Sequence, residues 1–131
     1  MRTILLYGMN DKRREELKKF FEEMDYSKYC HFMDDKMLNQ KVGYAMNCNG
    51  YFYEERSAFK GDLSGIEFAL FSGLDRKDIF NLIDKMKEQG IKTPVMALIT
   101  PTNIDWIMGE LISQVNDEHI AMTKGVVSEK K

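Results

Sequence analysis

Four times along the chain a short apolar run of strand length ends at a turn signal and gives way to apolar residues spaced for one face of a helix. This alternation limits the fold more than any other feature. Ile4-Leu5-Leu6-Tyr7 stops at Gly8 and is followed by Leu17, Phe20, Phe21 and Met24 at i, i+3, i+4 and i+7. Tyr29 to Met33 is the second run, and Asp34 or Asp35 then opens a weaker helical pattern through Met37, Leu38, Val42, Ala45 and Met46. Glu67 to Ser72 passes through Gly73 into a stripe at Ile79, Ile83 and Met86, which Gly90 ends by supplying a left-handed residue. Val95 to Ile99, after Pro94, precedes a last helix that carries Ile107, Leu111, Ile112 and Val115 inward and frays near His119. Asn10 and Asp75 are natural N-caps, because a short side-chain oxygen there can accept from an otherwise orphan amide. Thr102, with Asp105 three residues on, predicts a capping box for the last helix.

Four strands alternating with four helices predict an α/β fold: a single small domain with a four-stranded, mostly parallel sheet in the order 2-1-3-4 and helices on both faces. The domain spans 1–122, with an irregular insertion at 48–66 and a polar flexible tail at 123–131. If Asn49-Gly50 instead turns a hairpin between Tyr44-Ala45-Met46 and Tyr51-Phe52-Tyr53, a ferredoxin-like α+β arrangement becomes the alternative. Leu6-Tyr7-Gly8-Met9-Asn10-Asp11-Lys12 is echoed 65 positions later by Phe71-Ser72-Gly73-Leu74-Asp75-Arg76-Lys77. The echo fits an internal duplication, or the common chemistry of any strand, glycine, cap and helix.

Composition narrows the function classes. With 131 residues, 44% apolar and a net charge of -2, the chain can build one core and has no global field to recruit nucleic acid or an anionic membrane. No apolar run approaches the roughly 20 residues that span a bilayer, and the first strand follows one Arg without a signal-peptide core, so a cytoplasmic location is expected. Cys30 and Cys48 are too few for a disulfide framework and lack metal-site spacing. His31 and His119 fall on different elements, which leaves little raw material for nucleophilic catalysis. No catalytic residue, metal or cofactor is assigned, and an enzyme is the less favoured reading.

Two surfaces remain as candidates. In an all-parallel sheet the turns after the strands gather at one edge, bringing together Asn10, Lys12, Arg13, Asp75, Arg76, Thr102, Asn103 and Trp106. The cations are notable because Lys12, Arg13, Arg76 and Lys77 sit in first helical turns, where the dipole disfavours them by about 0.3 to 1 kcal/mol each. Local ion pairs can offset that cost, and so can a bound anion such as a phosphate or a carboxylate. The other surface is the aromatic stretch Tyr44, Tyr51, Phe52, Tyr53 and Phe59, where an adaptable apolar face could receive a second copy of the chain or another protein. The expectation is a non-catalytic binding or interaction module that self-associates; the alternative is a binder of a small molecule or anion at the sheet edge.

The run Gly90-Ile91-Lys92-Thr93-Pro94-Val95-Met96-Ala97-Leu98-Ile99-Thr100-Pro101-Thr102-Asn103, then Trp106, Glu110-Leu111-Ile112 and Glu118-His119, resembles an uncharacterised bacterial family, the domain of unknown function DUF3783. The turn at Phe71-Ser72-Gly73 resembles it too. The first half follows only through the Gly8 turn and Lys41-Val42-Gly43, and Tyr51 to Asp62 has no counterpart. The resemblance implies a small α/β fold and no particular activity.

Overall fold

The computed structural model describes residues 2–129, with side chains described as far as Ile120. Strand β1 (Thr3–Tyr7), helix α1 (Asp11–Glu23), strand β2 (Cys30–Met33) and the one-turn helix α2 (Val42–Ala45) form the first half. The second half repeats the order with β3 (Phe68–Ser72), α3 (Arg76–Glu88), β4 (Val95–Leu98) and α4 (Met108–Glu129). Packing divides the chain differently, into two compact units: Met1–Asp34 with Glu67–Ile99, and Asp35–Ile66 with Thr100–Lys131.

The first unit holds the sheet, in the expected order β2-β1-β3-β4. β1 pairs parallel with β2, and β3 parallel with β4, but β1 and β3 run antiparallel. The apolar pattern of a strand fixes its faces but not its direction, and a long excursion separates β2 from β3, so β3 is free to enter from either end. Direction decides where the helices go. Two right-handed β-α-β crossovers running in opposite senses place both helices on the same face, where an all-parallel sheet of this order would put them on opposite faces. Leu17, Phe20 and Phe21 of α1 and Leu82 and Met86 of α3 accordingly share one buried cluster with Ile4, Leu6, Ala69 and Phe71. Leu5, Phe68 and Leu70 alternate with these along the strands and are buried as well.

Within this unit the two halves correspond position by position. Every boundary of β3, α3 and β4 falls 65 positions after that of β1, α1 and β2. Gly8 and Gly73 both turn the chain with positive φ, at 86° and 77°. Asn10 accepts from the Arg13 amide, and Asp75 forms a reciprocal capping box with Asp78, so both expected caps are in place. The antiparallel register pairs Leu5 with Leu70, its own counterpart, so a local two-fold axis passes through that pair. The two parallel registers differ by one residue, Ile4 lying opposite Cys30 and Phe68 opposite Val95.

The second unit is built around a short bridge between Lys41 and Ile107. The Val42 amide donates to the Trp106 carbonyl and the Met108 amide to the Gln40 carbonyl, each at 2.8 Å. That bridge holds Lys41 extended and splits the expected helix from Asp34 or Asp35 to Met46 into a 3-10 turn at Asp35–Met37 and α2. Lys41 and Ile107 stand 66 positions apart, one more than the offset in the sheet unit, just as α4 begins 66 positions after α2, and the two hydrogen bonds are reciprocal. Residues 47–66 contain no strand, so no hairpin at Asn49-Gly50 enters the sheet and the ferredoxin-like alternative does not apply. The segment is nevertheless fixed: the buried Gln40 side chain accepts from the Glu54 amide at 2.9 Å and donates to the Glu54 carbonyl at 2.7 Å, taking both roles of a neighbouring strand. The Tyr51 ring sits where a Cβ on Gly43 would be, and the Phe59 ring does the same at Gly109. α4 continues through Glu129, taking in most of the segment read from sequence as a tail, whose last two residues, Lys130 and Lys131, lie outside the described residues. Among the described residues no helix is long and apolar enough to cross a membrane.

Candidate functional site

The turn residues singled out from sequence do not converge. Because β1 and β3 are antiparallel, the turn after β1, with Asn10, Lys12 and Arg13, lies at one edge of the sheet, and the turn after β3, with Asp75 and Arg76, at the other. Thr102, Asn103 and Trp106 belong to the second unit. Thr102 is not the cap: its backbone is helical and its side chain makes no capping bond. The reciprocal pair is Thr100 and Asn103, with the Asn103 amide donating to Thr100 Oγ1 at 2.9 Å and the Thr100 amide to Asn103 Oδ1 at 2.8 Å. The pair begins two residues earlier than the expected Thr102, and a 3-10 turn at Asn103–Asp105 precedes α4. Asp105 faces Tyr51, whose hydroxyl donates to it at 2.6 Å; that hydrogen bond, aided by partial desolvation, holds the phenol above its ordinary pKa.

Arg13 shows what offsets the cost of a cation in a first turn. Its guanidinium donates through Nε and Nη2 to Glu67, just before β3, through Nη1 to Glu16, and through Nη2 to the Lys92 carbonyl at 2.8 Å. Burial opposes the charge, but the bonds from Glu67 and then Glu16 outweigh it and hold the pKa above the usual value. Arg13 and Glu67 side chains are only 12% and 19% exposed, so this is a clamp between the two halves of the sheet unit, with its donors committed. Sequence reading missed Glu67 and Gln40, whose partners lie 54 and 14 positions away.

The sheet unit instead presents a cleft of about 240 Å³ along β4, lined by Phe71, Arg76, Ile79, Phe80, Met96 and Leu98. Phe80 is 63% exposed. The first half carries its own cleft at the corresponding place, about 270 Å³, lined by Leu6, Lys18, Phe21, Cys30 and Phe32. Ile79 and Phe80 correspond to Arg14 and Glu15, and in the sheet register Leu98, opposite Phe71, corresponds to Phe32, opposite Leu6; the Phe32 ring lies under the Arg14 guanidinium at 5.0 Å and the Lys18 ammonium at 5.9 Å. An apolar residue at 79 leaves uncharged in the second half the part of the rim that Arg14 and Lys18 guard in the first.

The aromatic stretch is partly consumed within the second unit. Tyr51 and Phe59 pack on Gly43 and Gly109, and Tyr44 meets the Tyr53 ring edge-on at 6.1 Å. Phe52 and Tyr53 remain exposed, at 76% and 63%. The thiols offer little reactivity: burial pushes Cys30 up to about 12, and burial raises Cys48 as well. Among the described residues no group of three or more His, Cys, Asp or Glu is placed to hold a metal ion.

Residues 67–122 match the family DUF3783, a domain of unknown function, and the match begins at the residue before β3. No curated protein and no solved structure matches the chain.

Proposed function

We propose that the protein is a non-catalytic interaction module of the cytoplasm that self-associates through the β4 edge of its sheet. The observation that carries this reading is the cleft beside β4 with the exposed Phe80 on its rim. A protruding aromatic next to an apolar hollow is a self-complementary patch, and self-complementarity is what a two-fold dimer requires of one surface. The strand supports the reading. Val95-Met96-Ala97-Leu98 carries no charge, whereas natural edge strands that stay single are guarded by charges, as β2 is by Arg14 and Lys18 around Phe32. The occupant is therefore a second copy of the chain, with Phe80 of each copy seated in the cleft of the other. The two free cysteines, neither in a disulfide, agree with a reducing compartment.

Light scattering and sedimentation over a wide concentration range test this. A concentration-dependent dimer is expected, lost in Phe80→Ser and in Ile79→Arg and kept in the double variant Phe52→Ser, Tyr53→Ser. A strictly monomeric natural chain overturns the reading. A dimer lost only in the Phe52, Tyr53 variant moves the interface to the aromatic stretch.

A further inference from the structure

We infer that the seam between β1 and β3 is a homodimer interface carried inside one chain: the protein is a tandem pair of one repeat, and the β3 edge of the second repeat fits another copy of that repeat as well as it fits the first. Three independent observations lead there. The first is metric: six element boundaries in the first half recur with one constant offset in the second, which a chance succession of strand and helix has no reason to produce. The second is symmetry. In the sheet unit the seam pairs Leu5 with its counterpart Leu70. In the other unit, taken by itself, the offset is 66, set by the starts of α2 and α4, and with it Lys41 bridges its counterpart Ile107, with reciprocal bonds from Val42 to Trp106 and from Met108 to Gln40. An isologous interface has this signature, in which residue i meets j and j meets i, and the residue on the axis meets itself. The third is extent: the match to DUF3783 spans 67–122, one repeat and not two.

A repeat standing alone leaves the inner edge of its strand without a neighbour, and four-residue or five-residue strands in two-stranded pieces are marginal in water. Antiparallel pairing about a two-fold axis solves that with no new surface, because the edge is its own complement. Arg13 and Glu67 are an asymmetric addition to this seam. Their counterparts are Asp78 and Arg2, and Asp78 is engaged in the capping box while Arg2 lies over the Tyr26 ring. The clamp joins first to second specifically, while the strands beneath it are indifferent to which copy they meet. This inference concerns the inner edge of the sheet and does not draw on the β4 edge.

The decisive experiment is a full-length chain in which residues 3–46 are replaced by a second copy of 68–112, the intervening 47–67 being kept, in a Phe80→Ser background applied to both copies. The expected result is a monomer with a cooperative thermal transition and slow amide exchange in both copies of Phe68–Ser72. Because such a chimera can fail for reasons of local packing, a second measurement uses the natural chain, again with Phe80→Ser. It is cut between the exposed Lys60 and Gly61, unfolded, refolded and weighed by native mass spectrometry. Pairs of the second fragment with itself are expected beside the first-with-second pair. Either a folded chimera or second-fragment pairs sustain the inference; an unfolded chimera together with only mixed pairs or single fragments overturns it.

Discussion

The two outer edges of the sheet are built on corresponding positions and do opposite things. At β2 two cations of the neighbouring helix lie over the Phe32 ring; at β4 the matching strand residue is Leu98, the helix offers Ile79 in place of Arg14, and Phe80 stands beside the cleft in solvent. The interiors behind the edges have not parted in this way. Leu17 and Leu82 are counterparts, both fully buried, as are Phe21 and Met86. A fold of two matched halves can therefore keep a common interior and assign a different task to each rim, since the interior is constrained by close packing and the rim is not.

The largest effect should come from breaking the shared interior. Leu17→Ala and Leu82→Ala should each lower stability by about 2 to 5 kcal/mol in urea unfolding, by similar amounts, because the same side chain is removed from equivalent surroundings. Unequal losses, with one near zero, would break the equivalence of the halves. Next comes the clamp that has no symmetric partner: Arg13→Ala should cost about 2 to 3 kcal/mol, since Glu67 is left partly buried without its cation. Its counterpart change, Asp78→Ala, removes half of a capping box and should cost about 1 kcal/mol. A smaller difference appears only at high pH. The Cys30 thiol, pushed up to about 12 by burial against an ordinary 9.0, favours the folded state while neutral. Its contribution is complete below pH 9 and is lost as pH rises toward 12, so Cys30→Val should flatten that part of the stability profile. The smallest effect on stability belongs to the edges. Converting the second to the likeness of the first with Ile79→Arg and Leu98→Phe should change unfolding by about 0.5 kcal/mol or less while abolishing self-association.

Strand order, both α1 and α3, their caps and the glycine turns were legible because each is set by residues within a few positions of one another. The direction of β3 was not, since it depends on the path of the chain between β2 and β3, and the candidate site at a common edge fell apart with it. The Thr100–Asn103 pair was misplaced onto Thr102 because both threonines stand near a proline and an acceptor at the same spacing, and only the backbone conformation distinguishes them. The packing of Tyr51 and Phe59 was hidden for another reason. A glycine in a helix marks a close approach without naming the ring that makes it.

The antiparallel seam also sets an order of assembly. Each β-α-β half closes over a short stretch of chain, while Leu5 meets Leu70 only across an interval more than twice as long, at a loop-closure cost larger by about 0.6 kcal/mol per doubling. Local halves form first and the seam zips last, so the rate-limiting encounter in folding resembles the docking of two partners held on one tether. Lengthening the segment between Glu55 and Gly61 should slow folding gently and leave unfolding from the native state unchanged.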